Sequence, residues 1–243
     1  MSGRSSHNPS QSPHVALVLV AKQAIAGHVK TRLATDGLSL QTAAAVHEVF
    51  LHHMRDLCES LAALPCGIDL VLLFDPPNNI DVWKNWKPWL KIPQSRGHLG
   101  CRLESAWQTL SRAPLAGAIF IGADVPELTA DHIIWARDQL REFRHAMIPA
   151  HDGGYVLIGI PAGGVSLFQD IAWGTSQVAA QTRWNAAQSE SVLSELPPLH
   201  DVDTREDLTA LQHRLAGAAD ERGGNLRQRL IETLKSATGV LSE

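Results

Sequence analysis

Apolar positions along this chain come in two rhythms. One is short and nearly unbroken: Val15–Ala21, Ile68–Phe74 (with Asp69 inside it), Ala118–Ile121, Ala146–Pro149 and Tyr155–Ile160 (with Gly159 inside it) are apolar runs closed by a charge, a proline or a glycine. Such runs predict strands buried on both faces. The other rhythm recurs at three and four residues. Ala43, Val46, Phe50, Met54, Leu57 and Leu61 follow Ser39, a good N-cap, and predict a long helix. Leu99, Leu103, Ala106 and Leu110 predict a second. Further helices are predicted from about Thr129 to Phe143, Ser176 to Ala187 and Thr204 to Leu215, with a charged amphipathic one from Asp220 to Ser236.

Strands alternating with amphipathic helices predict an α/β fold: a three-layer sandwich around a mainly parallel sheet, with Val15–Ala21 central. The Asp152-Gly153-Gly154 turn between two strands predicts one antiparallel hairpin, which makes the sheet mixed. Residues 1–14 are polar, rich in Ser and Pro, and read as a disordered tail; 15–216 read as one catalytic-size domain and 217–243 as a helical appendage. Trp83, Trp86 and Trp89 recur every third residue, either as an aromatic platform for a ligand or as a helix packing on the sheet.

Composition narrows the function. A net charge of -4 gives no footprint for nucleic acid. No apolar run is long enough to span a bilayer. Three cysteines, Cys58, Cys66 and Cys101, with no CxxC spacing, argue against a disulfide framework or a zinc site and for a cytoplasmic protein. His7, His14, His47, His52 and His53 fall in the tail or on a helix face and read as solvated.

In such folds ligands gather beyond the carboxyl ends of the strands, so the chemistry is sought there. The first strand is followed by Lys22, Gly27, Lys30, Thr31 and Arg32. Three fixed cations in one strand-end loop make an anion cradle, with arginine offering a fork that matches phosphate. The loop is neither a Walker A nor a GxGxxG pattern. A solvated basic loop is the plain alternative. Asp124 stands at the tip of the Ala118–Ile121 strand, where it can ligate a hard divalent cation or merely cap the next turn. Asp203, just before a helix, is divided between N-capping and metal binding. Asp152 is divided between an Asx turn and a role as general base or hydroxyl-orienting group. Should Asp124 and Asp203 share a pocket without a cation, their repulsion is expected to raise one carboxyl's pKa.

Taken together, A-K-x(4)-G-x-V-K-T-R-L, G-A-D-V-P-x-L, P-A-H-D-G-G-Y-x-L-I-G, F-x-x-I-x-W-x-T and D-V-D-T-x-E-D-L resemble a bacterial family of glycosyltransferase-A-fold transferases of the nucleotide-diphospho-sugar type. The likeness runs from about Val15 to Leu215. More distantly the chain is similar to phospholactate and molybdenum-cofactor guanylyltransferases, and CMP-sugar synthetases share the late Asp-Thr-x-Glu-Asp-Leu segment. The resemblance implies that Lys22, Lys30, Thr31 and Arg32 face nucleotide phosphates and that Asp124 and Asp203 hold Mg2+ or Mn2+. It also implies that Asp152, Gly153 and Gly154 shape the acceptor side, with Lys30, Asp124 and Asp152 closest to the chemistry. The expected ligands are a nucleotide or nucleotide sugar and a small-molecule acceptor.

Two acidic positions of the family pattern are His98 and Cys101 here. Three activities stay open: glycosyl transfer from a nucleotide sugar, nucleotidyl transfer from a triphosphate onto a phosphorylated small molecule with loss of pyrophosphate, and non-catalytic nucleotide binding.

Overall fold

The computed structural model describes residues 13–35, 37–217 and 220–237. Among them lie seven strands: β1 (Val15–Lys22), β2 (Ile68–Asp75), β3 (Leu90–Pro93), β4 (Gly117–Gly122), β5 (His145–Pro149), β6 (Tyr155–Pro161) and β7 (Leu193–Glu195). They form one sheet in the order β3-β2-β1-β4-β6-β5-β7. Only β6 runs against its neighbours, so the sheet is mainly parallel with one inserted hairpin, as the Asp-Gly-Gly turn predicts. β4 takes the middle place and β1 lies beside it, paired along both edges. The edge strands β3 and β7 escape the apolar pattern because they are short and half-wet.

The helices are α1 (Thr31–Thr35), α2 (Leu40–Ala62), α3 (Leu99–Leu110), α4 (Ala130–Arg141), α5 (Val178–Gln188), α6 (Arg205–Ala216) and α7 (Glu221–Ala237). Side chains of β1 alternate between two buried faces. Val15, Leu17, Leu19 and Ala21 meet Met54 and Leu57 of α2 and Ile133 and Ala136 of α4. Ala16 and Val18 meet Leu103, Ala106 and Trp107 of α3 and Ala179 of α5. This two-sided burial is why the strand shows no polar alternation. The side chain of Ser39 caps α2 by accepting from the Thr42 amide at 3.0 Å. A third cluster joins Ala43, Val46 and Phe50 of α2 to Leu208 and Leu211 of α6 and to Leu226 and Leu230 of α7.

Trp83, Trp86 and Trp89 are all buried in the first cluster, in edge-to-face contact at 5.4 and 5.2 Å. An aromatic platform for a ligand is thereby excluded, and packing against the sheet is their role. Two histidines overturn their reading as solvated, since His47 and His53 are only 5% and 4% exposed. His7 lies outside the described residues, as does the tail up to residue 12.

His53 gives the fold a measurable pH response. Its Nε2 donates to the Pro126 carbonyl at 3.0 Å. Burial, and then the nearby Arg222 guanidinium, lower its pKa to about 4. The unfolded chain therefore binds a proton between pH 6.5 and 4 that the folded chain refuses, so stability falls as pH drops through that window. The full loss is about 3 kcal/mol. In urea denaturation at pH 7 and pH 4.5, His53→Gln should shrink the difference between the two stabilities. An unchanged difference would assign the pH response to other groups.

Candidate functional site

At the carboxyl ends of β1 and β4 opens a cleft of about 730 Å³. Its walls bring together Lys22, Lys30, Thr31, Arg32, Asp124, Asp152, Gly154 and Asp203, which stand far apart in the chain. Parallel pairing explains the meeting. Val20 of β1 is level with Gly122 of β4, so the loop after β1 and the Asp124 turn leave the sheet side by side. The segment before α6 is drawn in by the Val202 amide, which donates to the Asp124 carbonyl at 3.0 Å, and by Val202 itself, fully buried.

Lys30 is the centre of the polar end. Its backbone is left-handed, with φ 48°, which turns the side chain inward rather than along the short α1 that follows. The ammonium, 3% exposed, lies 3.0 Å from Asp124 Oδ1 and 2.8 Å from Asp203 Oδ1. Burial pulls its pKa down, but the two carboxylates more than reverse this, leaving it above the ordinary value. Burial would likewise raise Asp124, yet Lys30 and His47 hold its carboxyl well below the usual range. The expected repulsion between Asp124 and Asp203 is thus corrected: the lysine stands between them as a counter-ion.

The carboxyl that is raised is a third one. Asp201 is pushed up to about 6, by burial first and then by Asp152 and Asp203.

Asp203 is relieved of the capping role. Thr204 caps α6 in a capping box with Asp207, whose Oδ2 accepts from the amides of Thr204 at 2.7 Å and Asp203 at 3.1 Å. The Asp203 carboxylate is left to Lys30, with Arg32 Nη1 3.6 Å away. Arg32 and Lys22 are exposed and line the cleft, where they can meet a ligand. Behind Asp124, His47 Nε2 donates to the Lys22 carbonyl at 3.1 Å while Nδ1 faces Asp124 Oδ1 at 3.6 Å. The ring ties the strand-end loop to the carboxylate.

Asp152 does form an Asx turn, accepting from the Gly154 amide at 2.8 Å through Oδ1, and it still lines the cleft. Gly153 stands behind it. Its φ is 91°, and an added Cβ would come 2.2 Å from the Ser176 carbonyl oxygen. The Gly153 carbonyl accepts from the Ala179 amide at 2.9 Å, so the turn is docked on the segment carrying Trp173 to Val178. Gly153→Ala combines left-handed strain with overpacking and should cost about 2–4 kcal/mol. Gly163→Ala, with φ 71° and nothing within 4 Å, isolates the strain alone and should cost about 1 kcal/mol. Equal losses in chemical denaturation would show that the turn is not held by that close contact.

Sequence reasoning missed Asp201, His47 and Trp173 as parts of the site. The alternation Asp201-Val202-Asp203 around a buried valine was a usable signal for the first. Nothing local marks His47, whose role depends on how α2 crosses β1. The departures His98 and Cys101 pair with each other, Sγ to Nε2 at 3.2 Å, and neither lines the cleft.

As to a cation, no group of three or more His, Cys, Asp or Glu among the described residues is set to hold one. The pair Asp124 and Asp203 suits a hard ion that takes one or two protein carboxylates and completes its shell with phosphate and water. Asp124 supports that fit: its side chain is 42% exposed and lines the cleft, while Oδ1 is met by the Lys30 ammonium at 3.0 Å and His47 Nδ1 at 3.6 Å. Lys30 occupies the space between the carboxylates and would have to yield it.

Residues 58–175 match the family described as "Uncharacterized protein conserved in bacteria (DUF2064)". No curated protein matches the chain. Among solved structures, one from Desulfovibrio desulfuricans G20, provisionally described as a nucleotide-diphospho-sugar transferase, is similar with a TM-score of 0.79 and 24% identity over 91% of this chain and 99% of that one. A cytidylyltransferase from Leptospira borgpetersenii serovar Hardjo-bovis is similar at 0.52 and 11% identity, over 96% of this chain and 100% of that one. CMP:2-keto-3-deoxy-manno-octonic acid synthetase complexed with CTP is similar at 0.51 and 9%, over 84% and 98%. At these identities the likeness is one of fold. Residues 58–175 therefore match an uncharacterised bacterial family, and the chain shares the α/β fold of the solved structures described as nucleotide-diphospho-sugar transferase and cytidylyltransferase.

Proposed function

We propose that the cleft binds a nucleotide-diphospho-sugar together with Mg2+ or Mn2+ and transfers the glycosyl group to a small-molecule acceptor, in the cytoplasm. One observation carries this reading: two carboxylates from distant segments converge within 3.0 Å of one buried ammonium, beside two exposed cations at the strand ends. A divalent cation held by Asp124 and Asp203 would offset charge on the diphosphate as it leaves. Lys30, released from its carboxylates, and Arg32 would add donors to the same oxygens. In the transfer, the acceptor oxygen bonds to the anomeric carbon, the bond from that carbon to the diphosphate breaks, and the acceptor's proton passes to a carboxylate. Asp152, with Asp201 beside it, supplies that base.

Nucleotidyl transfer is the second reading. Three cations in one loop also suit a departing pyrophosphate, and the fold is shared with the synthetase that holds CTP. Melting curves with Mg2+ and a panel of nucleoside triphosphates and nucleotide sugars separate the possibilities. Stabilisation by diphosphate sugars supports glycosyl transfer. Stabilisation by triphosphates alone transfers support to the second reading, and no stabilisation by either class leaves a scaffold without nucleotide chemistry.

A further inference from the structure

The charges of the cleft are sorted by side. Every cation lining it comes from one stretch of chain: Lys22, Lys30 and Arg32, with His28 and His47 beside them. Across β4, the part built by β6, the hairpin turn and the segment after Trp173 is lined, among the described residues, by no lysine or arginine. Its charged side chains are Asp152 and Asp201. Its floor is apolar, with Leu103 and Ile158 buried beneath it. Its wall is Tyr155 and Trp173, in edge-to-face contact at 6.1 Å. Trp173 is held close by a glycine, because a Cβ on Gly100 would come 2.2 Å from the indole nitrogen. Tyr155 Oη and Trp173 Nε1 are buried, so this wall presents carbon rather than polar atoms to the cleft.

From this arrangement we infer that the acceptor is a neutral or cationic hydroxyl compound with an apolar ring, and not a phosphorylated or carboxylated one. The inference rests on the glycosyl-transfer reading for what the cleft does. A phosphate or carboxylate on this side would meet two aspartates, with no lysine or arginine of that side to receive it, a juxtaposition that costs much of the affinity. A ring face covers Leu103, Ile158 and the aromatic wall, which is the ordinary composition of a small-molecule pocket. A positive group would be welcomed by Asp152 and Asp201.

Three probes of one shape and different charge test this: 4-(2-hydroxyethyl)phenol is neutral, tyramine is cationic and 4-hydroxyphenylacetate is anionic. Their dissociation constants are measured by ligand-observed NMR on the full chain. Each titration is run without nucleotide, and again with Mg2+ and the nucleoside diphosphate that stabilises the protein most. The neutral and cationic probes should bind about tenfold or more tighter than the anion in both conditions. The paired substitution Asp152→Asn and Asp201→Asn should bring the three to near-equal affinity. Asparagine at 152 keeps the oxygen that accepts from Gly154, so the turn survives. Trp173→Ala should weaken the neutral probe and leave nucleotide binding unchanged.

Anion binding as tight as the neutral probe in the wild type would overturn the inference, as would binding of none of the three or a charge preference that survives the paired substitution. Absence of nucleotide binding instead overturns the function proposed for the cleft, while the order of the three probes is still read without nucleotide.

Discussion

Asp124→Asn should lower the transfer rate about 10²–10³-fold, the range seen when one group that stabilises developing charge is removed. The substitution keeps the shape of the side chain and removes half of the counter-charge around Lys30. The part of nucleotide affinity that depends on Mg2+ should vanish, while affinity measured in a chelator should stay near the wild-type value. Calorimetry in the two conditions reads both numbers. Mg2+-dependent binding that persists unchanged in the variant would remove Asp124 from the cation site. Stability should fall only modestly, since the Asp124 side chain is 42% exposed and the asparagine can be hydrated.

Lys30→Met should have the second large effect, and one with opposite signs in two measurements. The thioether chain fills the space of the lysine stem but leaves Asp124 and Asp203 facing each other unneutralised. Breaking a buried pair by removing one partner typically costs about 3–5 kcal/mol. Here both carboxylates are partly wet, at 42% and 38% side-chain exposure, so about 1–3 kcal/mol is expected in urea denaturation. Transfer should be nearly lost, because the released ammonium is one of the groups meant for the leaving diphosphate. Yet Mg2+ alone, without nucleotide, should raise the melting point of Lys30→Met more than that of the wild type. In the wild type the ion must displace an ammonium already bound between the carboxylates; in the variant nothing competes for them. A melting point of the variant that ignores Mg2+ would mean that these two carboxylates do not form a cation site.

Much of the architecture was open to reading along the chain. The short apolar runs at Val15, Ile68, Ala118, Ala146 and Tyr155 each became an interior strand, because a strand covered on both faces can carry apolar residues at nearly every position. The helical faces became α2 to α6, and α7 lies where the charged late pattern stands. Asp152-Gly153-Gly154 located the antiparallel insertion, since a turn is built from the residues of its own few positions. β3 and β7 were illegible for a physical reason. Short edge strands are held by pairing to a neighbour and bury little, so their own residues need not be apolar. The same limit applied to Trp83, Trp86 and Trp89, whose spacing suits a platform and a core equally until their surroundings are known.

For the site, residue types at strand ends were enough to nominate Lys22, Lys30, Arg32, Asp124, Asp152 and Asp203, because parallel pairing delivers every such end to one rim. Which partner each would take was decided only by tertiary structure. Lys30 looks from the sequence like a free phosphate ligand, and in the fold it is buried between two carboxylates. Asp203 reads from the sequence as either a helix cap or a cation ligand, and in the fold Thr204 and Asp207 do the capping. Asp201 rises to about 6 first because it is buried in the fold and then because Asp152, from another segment, and Asp203 come near it. Local sequence determines backbone shape and which face is apolar, through interactions spanning a few residues. Charge pairing acts through space, over a few ångströms between segments as much as 173 residues apart. Only the packed chain sets those distances.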